Sequence, residues 1–186
     1  DHPETGMNEV FASTTLKKIL QDHGFAIDNP VADAFPTAFH AVCGNGPFQM
    51  GFLAEYDALP EIGHGCGHNL IAAMSVGAAL AFAKAAGTKA TVHVYGCPAE
   101  ETVGSKVYMS EHGVFDGLEA AVIVHPGTDQ TYIGGTSYAT HPLQFTFLGK
   151  AAHMADATYH GVNALDALVD FYGRLQAYEK TLTERH

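Results

Sequence analysis

The chain has 186 residues, of which 47% are hydrophobic and 16% charged, and this globular composition excludes an intrinsically disordered protein. Nine basic and 20 acidic residues give a formal charge of −11, which argues against nucleic-acid binding because phosphate backbones repel such a surface. The most apolar run, residues 70–86, contains Lys84 and many small residues, so we expect a buried helix of a soluble domain and no membrane span. Three widely spaced cysteines do not form a disulfide framework and fit a reducing, cytoplasmic compartment.

Hydrophobic spacing and turn signals divide most of the chain into alternating helices and strands. The predicted helices are residues 8–22, 71–86 and 105–111, and the predicted strands are residues 37–43, 49–56, 90–95 and 120–124. Gly24 and Gly87 follow the first two helices as stop signals, and residues 44–47 form the turn between the first two strands. Strands that alternate with helices predict an α/β fold with helices on the faces of a sheet.

The pattern changes after Gly134 and Gly135, and we place a domain boundary there, between residues 1–135 and residues 136–186. Residues 139–148 alternate like a half-exposed antiparallel strand, and residues 162–181 have the apolar spacing of a helix. One strand and one helix are too few to bury a core. We therefore expect the chain to be part of a longer protein, in which this second unit is completed.

Side chains that bind metals or move protons cluster in four short segments, each at or near the predicted end of a strand. These segments hold Glu55 and Asp57, Cys66 and His68, Glu100 and Glu101, and His125. Singly, they are also explained by a solvated strand end, a glycine-rich turn, an acidic surface pair and a core histidine. Together they predict a sulfur, nitrogen and oxygen ligand set suited to zinc or manganese. The predicted ligands are Cys66, His68, Glu101 and His125, and Glu100 is left as a general base for a metal-activated water.

Three runs in order, EYDALPEIGHGCGHNLI, GCPAEE and VIVHPG, resemble the aminoacylase/carboxypeptidase G family of co-catalytic zinc metallopeptidases. The resemblance is nearest to the amidohydrolase branch, with its p-aminobenzoyl-glutamate hydrolase-like and peptidase-like members. HPETGMNE near the N-terminus is similar to the opening helix motif of the family. The resemblance implies a mixed-sheet catalytic α/β domain with helices on both faces, into which an α+β lid or dimerisation domain is inserted. It also implies hydrolysis of the amide bond in N-acyl amino acids, aminobenzoyl-glutamate-like compounds or small peptides.

The resemblance assigns roles to individual residues. The positions that match metal ligands are Cys66, His68, Glu101 and His125. Glu100 matches the general base, Asp57 the residue that orients the ligands, and His153 a lid residue that steadies the oxyanion in a neighbouring subunit's site. Two zinc ions that share a water, and a homodimer or higher homo-oligomer formed through the lid domain, are further expectations.

Two departures from the family pattern leave alternatives open. Other branches have histidine where this chain has Glu55, so either Cys66 replaces that ligand or Glu55 binds directly. Asn69 stands where auxin-conjugate hydrolases have aspartate, which favours the aminobenzoyl-glutamate and peptidase-like relatives. The last metal-binding histidine of the family lies beyond the lid domain, after the point at which this chain ends. An alternative is therefore a catalytically incompetent relative that acts as a binding or assembly protein.

A third interpretation is a thiol enzyme that uses Cys66 with His68. Two residues apart, these side chains are better placed to share a metal ion than to form a nucleophile and its base. A chelator separates the two interpretations, because a thiol enzyme should remain active in its presence.

Overall fold

The computed structural model describes residues 2–135, 143–153, 155 and 160–182. The chain divides into two compact units, Asp1–Thr131 and Tyr132–His186. The assignment of residues 1–135 to a catalytic domain and of residues 136–186 to a lid domain stays a prediction.

The first unit contains three α-helices and five strands among its described residues. In chain order they are α1 (Val10–Asp22), β1 (Ala26–Asp28), β2 (Phe39–Gly44), β3 (Phe48–Glu55), α2 (His68–Ala86), β4 (Ala90–Cys97), α3 (Ser105–Glu111) and β5 (Ala120–Val122). A short 3-10 turn, Gly87–Lys89, joins α2 to β4. Strand β1 was not among the predicted elements, because three residues are too few to show an alternating pattern.

The five strands form one mixed sheet in the order β1-β2-β4-β3-β5, which confirms the predicted fold class. Strand β2 pairs antiparallel with β1 and β4, whereas β3 pairs parallel with both β4 and β5. Because β3, β4 and β5 run in the same direction, their carboxyl ends meet at one edge of the sheet. The segments that follow these three strands are therefore brought close together.

Apolar side chains leave the sheet on both faces, and each face is covered by helix. On one face, α1 and α2 cover β2, β3 and β4. The buried members of this cluster include Leu16, Leu20, Phe39, Phe52, Val76, Ala79, Val92 and Val94. On the other face, Met109 of α3 packs with Tyr95 and Cys97 of β4, and with Phe35 from the segment before β2. Alternation along β4 supplies both clusters, since successive strand side chains point to opposite faces.

Helix α2 buries only one of its sides, so the prediction of a buried helix is wrong in extent. Ile71, Val76 and Ala79 face the core, while Leu70 and Met74 are exposed. By length and composition alone α2 could cross a membrane, a property that core helices of soluble proteins share.

The second unit is built on α4 (Ala164–Glu179), for which Asn163 accepts a hydrogen bond from the Leu165 N–H at 3.1 Å. Phe145 and Phe147 pack on Phe171, with ring centroids 4.5 Å and 5.6 Å away. Of the predicted strand 139–148, residues 139–142 lie outside the described residues. Residues 143–148 form no strand, because the described part of this unit offers them no hydrogen-bonded partner strand.

Candidate metal centre

The predicted metal-binding segments meet at the carboxyl edge of the parallel strands. Glu55, the last residue of β3, lies opposite Cys97 of β4, so the turns that follow the two strands begin side by side. The first of these turns contains Asp57, and the second contains Glu100 and Glu101. The chain after β5 brings His125 to the same place, where its ring centroid is 5.9 Å from that of His68.

Gly67 allows His68 to begin α2 within this cluster. Its φ of +82° is left-handed, a conformation that side chains rarely adopt. A Cβ added to Gly67 would also lie 2.8 Å from Cγ of Pro126, the residue after His125. Only glycine therefore permits the close approach of the helix start to the segment that carries His125.

His68 is fully buried and is oriented by a single carboxylate. Its Nδ1 lies 2.8 Å from Oδ1 of Asp57 and donates a proton to it. The other ring nitrogen, Nε2, faces three more carboxylates. It lies 3.4 Å from Oε2 of Glu55, 3.6 Å from Oε1 of Glu101 and 3.8 Å from Oε2 of Glu100.

Three of these facing atoms are buried without a hydrogen-bond partner: Nε2 of His68, Oε2 of Glu55 and Oε1 of Glu101. Buried polar atoms are normally paired, and lone pairs that face one another repel unless a cation lies between them. The same charges raise the pKa of His68. Burial alone would lower it, but the hydrogen bond to Asp57 and the charge of Glu55 outweigh that effect. The cluster thus attracts positive charge, and its donor set fits a divalent metal ion.

Cys66 lies on the second side of this cluster. Its Sγ is 3.4 Å from Nε2 of His125. Burial, and then the neighbouring Glu101 carboxylate, raise the pKa of the Cys66 thiol to about 11. Without a cation the sulfur therefore keeps its proton at neutral pH, and a bound metal ion would displace it.

The predicted ligands form two overlapping groups that share His68. The first group is Cys66, His68 and His125, and the second is His68, Glu100 and Glu101. Within each group the ligand atoms lie within 4.8 Å of one another. Two adjoining groups with one shared histidine have the composition expected for neighbouring metal positions.

Glu100 and Glu101 are held in different environments although they are adjacent in sequence. The Glu101 backbone N–H donates to Oδ2 of Asp57 at 2.9 Å, and its side chain is 20% exposed. The Glu100 side chain is 38% exposed. Burial and the charge of Glu55 raise the pKa of Glu100, which suits a group that takes up and returns a proton near neutral pH.

Lys106 is absent from the residues predicted for the site, although its ammonium donates to Oε1 of Glu55. The lysine lies in the first turn of α3 and compensates one negative charge of the cluster. A sequence signal exists, since Lys106 follows the acidic pair by five residues, but only the fold brings it to Glu55. With one oxygen of Glu55 on Lys106, its other oxygen remains free to face His68.

His153 belongs to the second unit, where its Nδ1 accepts a hydrogen bond from the Ala155 N–H at 3.1 Å. The first unit alone therefore brings together Cys66, His68, Glu100, Glu101 and His125. Asp57 orients His68 as the family pattern implies, while the role of His153 stays a prediction.

Comparison with known proteins identifies relatives of this chain, although no protein-family model matches it. One of the subunits of p-aminobenzoyl-glutamate hydrolase from Escherichia coli (strain K12) is 36% identical over 90% of this chain. Xaa-Arg dipeptidase from Mus musculus is 39% identical over 79% of this chain. The chain spans only 39% and 37% of the lengths of these two relatives.

Solved structures agree with the fold. A dinuclear metal-binding peptidase of the M20 family from Bacillus subtilis matches 64% of this chain and 38% of its own, with a TM-score of 0.55 and 24% identity. An aminobenzoyl-glutamate utilization protein from Klebsiella pneumoniae matches 68% of this chain and 41% of its own, with a TM-score of 0.54 and 18% identity. The chain thus belongs to the aminoacylase/carboxypeptidase G family of metallopeptidases and is homologous to p-aminobenzoyl-glutamate hydrolase and Xaa-Arg dipeptidase.

Proposed function

We propose that the protein containing this chain is a metal-dependent hydrolase of amide bonds in small N-acyl amino acids, aminobenzoyl-glutamate-like compounds or dipeptides. One observation carries the proposal: the unpaired buried atoms of His68, Glu55 and Glu101 face one another beside Cys66 and His125. Such a site requires a cation, and the adjacent carboxylate of Glu100 supplies a base.

Cys66, His68, Glu101 and His125 would hold the metal, which we propose to be zinc, with two ions per site. A bound divalent cation would lower the pKa of water and polarise the substrate carbonyl. Glu100 would take a proton from the attacking water on its carboxylate and return it to the leaving amine. Asp57 keeps the proton of His68 on Nδ1, so that Nε2 presents a lone pair. His153 would donate to the developing oxyanion.

The substrate class follows from the relatives. The proteins that match this chain are named for p-aminobenzoyl-glutamate and for Xaa-Arg dipeptides, which are small molecules with an amide bond beside a carboxylate-bearing residue. Assembly as a homo-oligomer through the second unit and a cytoplasmic location belong to the same proposal. The negative overall charge and three free cysteines support the absence of nucleic-acid partners and a reducing compartment.

The decisive variant is Glu100→Gln in the full natural protein. We expect it to keep its metal and to lose turnover by a factor of about one hundred or more, because the amide cannot accept the water proton. Metal content is measured by elemental analysis, and turnover on a panel of N-acyl amino acids and dipeptides. Glu111→Gln, at an exposed position on α3, is the matched control. Wild-type turnover in Glu100→Gln would remove Glu100 from this role.

The approach of Cys66 to His125 at 3.4 Å also permits a thiol nucleophile as a second candidate. The raised pKa of the thiol opposes it, since the thiolate is the reactive form. A chelator separates the two candidates. Complete loss of activity on chelation, with recovery on adding zinc, supports the metal-dependent hydrolase, and full retention would support the thiol enzyme.

A further inference from the structure

Glu9 is a fully buried carboxylate for which the proposed chemistry has no use. It precedes the first residue of α1, yet its side chain does not cap that helix. Glu4 does so instead, by accepting from the N–H groups of Phe11 and Ala12 at 2.8 Å and 2.9 Å. Glu9 is therefore free to reach other parts of the fold.

Both oxygens of Glu9 are used far from its own helix. Oε2 accepts from the Thr37 hydroxyl at 2.8 Å, and Oε1 accepts from the Ala99 N–H at 2.7 Å. Ala99 directly precedes Glu100 and Glu101. The opening motif HPETGMNE thus makes a direct hydrogen bond to the turn that carries the proposed base and one proposed ligand.

Ala99 needs such support because its backbone is strained. Its φ is +55°, a left-handed conformation that non-glycine residues seldom adopt and that persists only where its surroundings enforce it. The carbonyl of Ala99 accepts from the N–H groups of Val103 and Gly104, at 3.2 Å and 2.9 Å. Glu9 holds the other side of the residue.

The same motif also packs on this turn. Gly6 approaches so closely that an added Cβ would lie 3.0 Å from Cα of Ala99 and 2.6 Å from the Thr102 hydroxyl oxygen. Only glycine leaves room for this contact. Ala99 is thereby enclosed by Gly6, Glu9 and the turn itself, and is fully buried.

We propose that Glu9 is a positioning residue, whose carboxylate holds Ala99 in the left-handed conformation that directs Glu100 and Glu101 toward His68. Asp57 holds the far end of this turn through the Glu101 N–H. The turn is thus fixed at both ends by a buried carboxylate. The inference rests on the proposed function for its activity readout, whereas its structural readout does not depend on that function.

Three variants of the full natural protein test the proposal: Glu9→Ala, Glu9→Gln and Glu9→Ala combined with Ala99→Gly. In Glu9→Ala we expect the Ala99 amide proton to exchange at least about tenfold faster, because its buried acceptor is lost. Zinc affinity and kcat should each fall by about tenfold or more, with KM changing less. Glu9→Gln keeps an oxygen that can accept from Ala99 and should stay within about threefold of wild type. Glycine at position 99 adopts the left-handed conformation without strain, so the double variant should recover most of the loss.

Thr37→Val is the matched control for folding. It removes the other hydrogen bond of Glu9 and destabilises the same buried site, but it leaves the Ala99 contact intact. We expect it to keep wild-type exchange at Ala99 and wild-type zinc affinity. Equal losses in Thr37→Val and Glu9→Ala would overturn the positioning role, as would normal exchange at Ala99 in Glu9→Ala. A wild-type protein that neither binds zinc nor hydrolyses amides would instead contradict the proposed function, while the exchange rates would still decide whether Glu9 holds the turn.

Discussion

The two units of the chain differ in how far their apolar side chains are buried. In the first unit, Phe39, Ile71 and Val94 are fully enclosed between the sheet and its helices. In the described part of the second unit no residue is buried, and Leu165, Val169 and Tyr172 of α4 are 61%, 62% and 60% exposed. The difference shows that an apolar stripe is sufficient to specify a helix, whereas burial also requires a partner surface. The sheet provides that surface in the first unit.

Core truncation is the most direct way to break this comparison. Phe39→Ala should lower the free energy of unfolding by about 3–5 kcal/mol, because it leaves a cavity beside Tyr56 in the sheet core. Leu168→Ala on α4, a side chain that is 46% exposed, should change it by less than about 0.5 kcal/mol. Chemical denaturation of both variants and of the wild type measures the two effects. A loss above about 1 kcal/mol for Leu168→Ala would show that a surface covers α4 in the natural protein.

The chemistry should divide between the units in the same way as the packing. Cys66→Ala in the first unit removes a proposed ligand, and we expect zinc affinity to fall by about a hundredfold. His153→Ala in the second unit should keep zinc affinity unchanged and lower turnover by about a hundredfold, because it removes an oxyanion donor. Competition with a fluorescent chelator measures the affinity. Equal loss of zinc in both variants would contradict this division.

Local patterns predicted most of the elements, but the sequence does not contain the pairings between them. The helix at residues 105–111 matches α3, because its hydrophobic spacing and turn signals are local. Strand β1 was missed because only pairing with β2 defines it. The described part of the predicted strand 139–148 is not a strand, since its alternating side chains pack on Phe171 instead.

The candidate site shows the same limit. Strand ends and metal-binding side chains are visible in the sequence, so Cys66, His68, Glu101 and His125 could be named before their positions were known. Lys106 and Glu9 could not be assigned a role, because each acts on a residue that is distant in sequence. Lys106 pairs with Glu55, and Glu9 reaches Ala99.

The smallest expected effect is a pH dependence confined to the first unit. His40 and His93 lie on neighbouring strands, with Nε2 of one 2.9 Å from Nδ1 of the other. Burial lowers the pKa of both, and the charge of Asp28 opposes this shift at His40. A histidine whose pKa is lower in the folded state contributes stability above its unfolded pKa, near 6.5, and loses it as the pH falls toward the folded value.

We therefore expect the free energy of unfolding to decrease as the pH is lowered below about 6.5, in addition to any change caused by other groups. The loss should be smaller than that of Phe39→Ala, because desolvation and Asp28 act in opposite directions on His40. Denaturation of the metal-free protein at a series of pH values gives the slope, and the double variant His40→Gln, His93→Gln should have a shallower one. An identical slope in the double variant would show that the strand histidines contribute nothing, and that the site carboxylates alone make the first unit sensitive to acid.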